Sequence, residues 1–263
     1  MTTSRIALGV EYNGSRFNGW QMQLQDARTV QDQVQKALSK VADHPVSVVC
    51  AGRTDTGVHA TAQVVHFDTT AERKLKAWVM GSNVHLPEDV SILWAKPVDN
   101  DFSARFSATK RSYRYVILNR SARTAIHGKQ VTWVHDALDV EAMHAAAQAL
   151  VGEHDFSSFR SSICQAKHAR RMMHSINVSR EGEYIYLDLC ANAFLHHMVR
   201  NIVGSLLMIG RGEQPVTWMA DLLALKDRSK AGPTAAAYGL YLVAVEYPQQ
   251  YDLPSAGILP RFA

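Results

Sequence analysis

The sequence predicts an α+β fold of two ferredoxin-like halves, their strands forming an antiparallel or mixed sheet with helices on one side. Three observations carry this. Hydrophobic periods of two and of 3.6 residues alternate as β-α-β-β-α-β from Arg5 to Trp94. Similar elements recur after Lys110. Across 263 residues, an apolar fraction of 47% with 20% charged residues suits a full globular core. The expected halves are 1–105 and 106–263, with a seam near residues 100 to 109.

In the first half, Arg5 to Tyr12 alternates, with Ile6, Leu8 and Val10 on one face, and reads as a strand ended by Asn13-Gly14. Phe17 to Gln21 is a loop in which Trp20 is a core anchor. Thr29 caps a helix whose inner face is Val30, Val34, Ala37, Leu38 and Val41, and His44-Pro45 stops it. Val46 to Cys50 reads as a buried strand and Ala62 to Phe67 as another. A helix over Arg73 to Asn83 turns Leu75, Trp78, Val79 and Val84 inward, and Val90 to Trp94 is the next strand.

In the second half, Lys110 to Leu118 is a strand with Tyr113 and Tyr115 on one face and Arg114 on the other. Ala122 to Gln130 is a loop. Asp139 caps a helix through Leu150, with Leu138 and Met143 as a hydrophobic staple and Gly152 ending it. Phe156 to Lys167 is a long polar loop. Met173 to Val178 and Tyr184 to Cys190 form a hairpin turning at Glu181-Gly182. Leu195 to Met208 is a strongly apolar helix with Asn192 as its cap, and Arg200 lies off its apolar stripe. Thr217 to Leu225 is a further helix with Leu222 and Leu225 inward. Tyr238 to Val245 is the last strand, and the tail from Gln249 is peripheral.

Composition excludes several classes. Met1 to Arg5 has no apolar leader, and Ile202 to Gly210 is too short to span a bilayer, so a soluble, cytoplasmic protein without membrane attachment is expected. Cys50, Cys164 and Cys190 form no CxxC pair, which fits free thiols in a reducing compartment, with Cys50 and Cys190 as small core residues. No metal-ligand spacing appears among the histidines, and no GxGxxG or Walker loop is present, so neither metal nor nucleotide cofactor is expected. Charge is uneven. From Phe102 to His135 there is no acid but seven basic residues, Arg105, Lys110, Arg111, Arg114, Arg120, Arg123 and Lys129. From Phe156 to Arg180 the pattern repeats with Arg160, Lys167, Arg170, Arg171 and Arg180. Two such segments point to a polyanionic partner, with Arg105, Lys110, Arg111, Arg114, Arg160, Arg170 and Arg171 as candidate phosphate contacts.

One loop concentrates chemistry. Ala51-Gly-Arg-Thr-Asp-Thr-Gly-Val-His59 sets one guanidinium, Arg53, and one carboxylate, Asp55, between two glycines at a strand end. Composition alone leaves turn and site equally open. His59 reads as a loop hydrogen-bonder.

Phe17-Asn-Gly-Trp-Gln21, Ala51 to Ala60, Phe106 to Tyr115, Phe194 to Gly204 and Ala231 to Leu240 occur in an order that resembles the TruA-type tRNA pseudouridine synthases. The family usually has Asp at Asn13, Pro at Ala236 and often His at Tyr238. The resemblance implies isomerisation of uridine to pseudouridine at positions 38, 39 and 40 of the tRNA anticodon stem-loop, by a homodimer without cofactor. It implies that Asp55 is the essential carboxylate and Arg200 its ion-pair partner. It also implies that Tyr113 is the active-site tyrosine, Arg53 a basic residue of the motif that holds Asp55, and Leu240 an apolar wall of the pocket. The chemistry suits these types. A charged carboxylate can attack C1′ or C6 or take the C2′ proton, an arginine favours its charged form, and a tyrosine ring can stack on uracil while its hydroxyl accepts the C5 proton. Two other readings stay open on residues alone. A non-catalytic RNA-binding module explains the basic segments but not the carboxylate loop. An aspartic protease is suggested by Asp55-Thr56-Gly57 but needs a second carboxylate.

Overall fold

The computed structural model describes residues 3–23, 27–254 and 257–262. Met1 and Thr2, on which the expectation of no leader partly rests, lie outside them, as do 255, 256 and 263 of the tail. The chain forms two compact units, Met1–Thr109 with Tyr241–Leu259, and Lys110–Leu240 with Pro260–Ala263. A single boundary at 105/106 is thus replaced by a division at 109 and a return at 241.

The first unit contains β1 (Ser4–Tyr12), α1 (Val30–Ala42), β2 (Val49–Cys50), β3 (His59–Thr69), a π-helical turn (Ala77–Gly81) running into α2 (Ser82–His85), and β4 (Val90–Val98). Its strands are antiparallel in the order β4-β1-β3-β2, the arrangement of a ferredoxin-like βαββαβ unit. The segment from Tyr241 joins it. Strand β10 (Leu240–Glu246) pairs in parallel with the start of β3, Tyr241 opposite His59, while β2 occupies the later part of the same edge, Val49 opposite His66. The sheet is therefore mixed.

Strand β1 is buried from Ile6 through Val10 rather than alternately. Its Ala7 face is covered by Phe102, Ala104 and the chain's last segment, with Tyr247, Tyr251 and Leu253 packed on that cluster. The tail is not peripheral: Lys96 binds both the carbonyl and the carboxylate of Asp252. Helix α1 begins as expected, with the Thr29 hydroxyl accepting the Asp32 N–H, Val30, Val34, Ala37 and Leu38 buried, and Asp43 left-handed after the last turn.

Three expectations here fail for local reasons. The strand at Val46–Cys50 shrinks to two residues, because the Val46 and Val48 N–H groups bond the side chains of Ser39 and Gln35. The helix near Arg73 contains a π turn, which breaks the 3.6-residue phase. Trp78 stays buried, but Leu75 is exposed and Val84 is 79% exposed. Cys50 is partly buried rather than core, and desolvation pushes its thiol up to about 11.

The second unit contains β5 (Lys110–Asn119), β6 (Thr132–Val134), α3 (Val140–Ala147), β7 (Gly152–Asp155), β8 (Arg170–Glu181), β9 (Tyr184–Ala191), α4 (Met198–Gly210) and α5 (Trp218–Leu225). Strand order is β5-β9-β8-β7, antiparallel, with β6 added in parallel to β5. The succession β5, α3, β8, β9, α4 repeats that of the first unit, with β7 as an extra edge. Asp139 caps α3 by accepting the Ala142 N–H, and Leu138 and Met143 are buried beside it. The hairpin turns at Gly182, whose φ of 56° favours glycine.

The sequence missed β6 and β7, too short to show a period. Arg170 and Arg171 consequently lie on β8. Asn192 does not cap α4. It exchanges two bonds with the Met172 backbone at the end of the β8–β9 ladder, and α4 starts after a left-handed His197 (φ 62°). On α5, Leu222 is buried with Met219, but Leu225 faces solvent. Cys190 is partly buried. No helix of the described residues is long and apolar enough to cross a membrane.

Candidate active site

Asp55 sits where the β2–β3 connection leaves the sheet. The last ladder bond joins the Ala51 N–H to the Val64 carbonyl. Beyond it a side chain replaces the strand. Gln63 is 0% exposed; its Nε2 donates to the Gly52 carbonyl at 2.6 Å, and its Oε1 faces the Gly52 N–H at 3.4 Å. Nε2 also approaches the Tyr12 hydroxyl at 3.4 Å, which bonds the Thr54 hydroxyl at 2.8 Å. Residues 52 to 54 are thus tied to β3 and β1 immediately before the carboxylate.

The other side of the loop is held by Phe17-Asn-Gly-Trp-Gln21. The Trp20 N–H donates to the Thr54 carbonyl at 3.0 Å. Gly19 has φ 87°, and a Cβ there would lie 3.1 Å from the Asp55 carbonyl carbon, so only glycine fits. The same loop starts α1, because the Gly19 and Trp20 carbonyls accept from Val30 and Gln31. Trp20 is buried, as expected of a core anchor, and Arg28 braces the block with a bidentate pair to Asp89 and its guanidinium over Phe17 at 4.1 Å. The Asp55 carbonyl accepts the Val58 N–H across Gly57, whose φ is 82°.

Asp55 itself is partly exposed and Arg53 is exposed. His59 is buried on the first residue of β3, not in the loop. Its Nδ1 accepts the Gly14 N–H at 3.0 Å and its ring stacks on Tyr241 at 4.6 Å. Asn13, where the family usually has Asp, accepts the Ser15 N–H and so does the capping an Asp would do.

In the second unit, Tyr113 on β5 is 8% exposed and meets Phe194 edge to face at 4.9 Å. Arg200 lies in the first turn of α4, where its Nε donates to the Ala235 carbonyl at 2.8 Å and its own carbonyl accepts the Ala235 N–H at 3.1 Å. Asn201 beside it is buried and bonds Phe159, Arg228 and Thr234. Close packing makes this possible, since a Cβ on Gly204 would overlap the Pro233 carbonyl. Tyr115 donates to the Ala236 carbonyl at 2.7 Å, so Thr132 donates to Tyr115. Leu240 is buried at the head of β10.

The proposed phosphate contacts divide. Arg114 is 6% exposed, and its Nε and Nη2 each reach Asp188 at 2.7 Å. Its charge is already matched and buried, which removes it from the candidates. Arg160 bonds the Cys164 and Ala166 carbonyls, shaping the loop before β8. Arg170 is exposed. Arg171 is partly buried, with its Nη1 on the His168 and Arg170 carbonyls, and desolvation draws its pKa below the usual arginine value. Both line a groove of about 340 Å³ with Glu153, His168, Met172 and Asn192. Lys110 is partly exposed, Arg111 donates to the Asn192 carbonyl, and Arg105 is exposed.

Sequence reasoning missed the clamp of Gln63, Tyr12 and Thr54. Its signal was present: a glutamine among the apolar residues of Ala62 to Phe67 must be satisfied by something once buried.

Comparison with known proteins fits these blocks. A family model described as tRNA pseudouridine synthase matches residues 9–107 and 146–248. A tRNA pseudouridine synthase A of Photorhabdus laumondii is 58% identical over 258 residues, covering 98% of this chain and 97% of that one. Those of Shewanella amazonensis and Vibrio vulnificus are 58% and 57% identical, each covering 98% of this chain. The carboxylate loop and the other motif blocks of the sequence are thus those of an isomerase, and the chain belongs to the tRNA pseudouridine synthase family.

Proposed function

We propose that this enzyme acts on uridines 38, 39 and 40 of the tRNA anticodon stem-loop, with Asp55 as its essential carboxylate. The observation that carries the assignment is the rigid hold on residues 52 to 55, with the Gln63 clamp on one side and the Gly19 backbone on the other. A reacting group gains most when its geometry is fixed in advance.

In this reading the uridine leaves the stack, at a cost of a few kcal/mol. The N1–C1′ bond breaks, the uracil turns, C5 joins C1′, the C5 proton departs and N1 gains one. Atoms balance without a cofactor. Asp55 acts as nucleophile or base. Arg200, on a helix backed by Ala235, pairs with it, and Tyr113 stacks on the uracil and takes the C5 proton. Leu240 walls the base and Arg53 contacts the substrate. Arg105, Lys110, Arg111, Arg160, Arg170 and Arg171 hold the RNA backbone. The enzyme works as a cytoplasmic homodimer.

Asp55→Ala is expected to abolish pseudouridine formation while tRNA still binds; turnover in that variant would sink the assignment. Pseudouridine mapping in cells lacking the protein should show loss at 38 to 40, and loss elsewhere would overturn the choice of site. Sedimentation of the pure enzyme decides the dimer.

A further inference from the structure

Phe106 is 81% exposed, yet it tips a turn that hydrogen bonds and a buried base hold in place. Phe102 and Ala104, just before it, are fully buried. The Ala104 N–H donates to His66 Nδ1 at 3.0 Å, and its carbonyl accepts the Tyr247 hydroxyl at 2.7 Å. Two serines lock the turn. The Ser103 N–H donates to the Ser107 hydroxyl at 2.9 Å, the Ser107 N–H to the Ser103 carbonyl at 2.9 Å, and the Phe106 N–H to the Ser103 hydroxyl at 3.3 Å. The Arg105 guanidinium lies over the ring at 5.1 Å.

Turn tips are ordinarily Gly, Asn, Asp or Ser. Here the tip is an aromatic ring that contributes little to the core. Its backbone is ordered beforehand, so a ligand that covers the ring need not order the turn. The surroundings select the ligand. Phe106 lies in the acid-free run from Phe102 to His135, with Arg105, Lys110 and Arg111 as neighbours in sequence. A flat apolar face with a guanidinium over it suits a nucleobase attached to a phosphate backbone. Every base has a π-face, so the contact needs no particular sequence.

We propose that Phe106, with Arg105 against its ring, is a stacking platform for an unpaired nucleobase of the tRNA, separate from the uridine that reacts. The proposal rests on the tRNA-isomerase reading above.

The test is tRNA binding by the wild type, Phe106→Ala, Phe106→Leu, Phe106→Trp and Arg105→Gln over a range of salt, with the mass of each protein measured alongside. Loss of one aromatic–base stack corresponds to weakening of about 5- to 150-fold. Phe106→Ala should show it with an unchanged salt slope, Phe106→Leu should remain weak, and Phe106→Trp should bind like the wild type. Arg105→Gln should flatten the slope. Wild-type affinity in the Ala variant, or full recovery with leucine, overturns the platform. So does an affinity loss that follows conversion of a dimer to a monomer, since a second copy would then be what covers the ring. Wild-type turnover on the anticodon stem-loop separates the two failures: if it is absent the parent reading fails, and if it is present only the platform is at stake.

Discussion

Replacing Gln63 with leucine tests whether the carboxylate loop is held as the geometry implies. Leucine keeps most of the volume but removes both hydrogen-bonding functions. The 2.6 Å bond to the Gly52 carbonyl is lost, whereas the 3.4 Å contacts to the Gly52 N–H and Tyr12 hydroxyl are long and contribute little. One hydrogen bond contributes about 1 kcal/mol net, and a carbonyl left facing a methyl group costs about 1–3 kcal/mol. Removing one partner incurs the second of these, so the first unit should lose roughly 1–3 kcal/mol. A two-unit chain need not unfold in one step, so the measurement is hydrogen exchange at residues 51 to 58 together with denaturant unfolding. Turnover should fall while tRNA affinity holds, because the loop loses its fixed geometry and not its charge. Gln63→Glu should be at least as damaging despite its shape, since it sets a carboxylate oxygen against the Gly52 carbonyl. Tyr12→Phe should be milder, because the Gly52 clamp survives. Unchanged exchange and full turnover in Gln63→Leu would refute the argument.

Two further outcomes follow from groups outside that loop. Arg114→Met should destabilise the second unit by about 2–3 kcal/mol, below the usual range for a fully buried pair because Asp188 is partly exposed. The companion change Asp188→Leu should restore part of the loss, and a fall of about one in the salt slope for tRNA would return Arg114 to the RNA contacts. His66 is buried with its Nδ1 accepting the Ala104 N–H; burial first, and then the Arg5 charge, hold its pKa below 6.5, against the pull of Asp68. Below 6.5 the unfolded chain binds a proton that the native imidazole refuses. The stabilisation is thus complete above 6.5 and drains as pH falls through the lowered native value. His66→Asn, which keeps an acceptor but cannot titrate, should flatten acid unfolding in that window, and an unaltered pH profile would dispose of the assignment.

Much of the architecture was legible because it rests on local chemistry. Thr29, Asp139 and Gly182 mark their boundaries by capping and turn rules, and the apolar spacing of α1 is regular. What failed depends on partners distant in sequence. Nothing in the β5 run tells that Arg114 faces Asp188 across the ladder, so a buried ion pair looks like an RNA contact. The π turn at Ala77–Gly81 breaks the 3.6-residue phase, and Val84, six residues after Trp78, faces solvent. Asn192 satisfies a strand end in place of a helix end. At the site, motif blocks identified the residues, but the reason Asp55 is held lies in the side chains of Gln63, Tyr12 and Thr54, which no short spacing connects.

The return of Tyr241–Leu259 to the first unit bears on how the protein is born. During synthesis the second unit's main segment, through Leu240, emerges before the strand that completes the first. Until then the Ala7 face of β1 and the Phe102 cluster lack Tyr247, Tyr251 and Leu253, and β3 lacks β10 beside His59. N-terminal domains ordinarily close first on the ribosome. Here the half that carries Asp55 must wait, apolar surface open, for almost the whole chain, and the closing contact is a parallel pairing between strands far apart in sequence, a slow kind to form. The nascent enzyme is therefore most exposed to aggregation late in translation, and a message cut short after Leu240 would yield a chain whose catalytic loop is made but whose supporting unit is not finished.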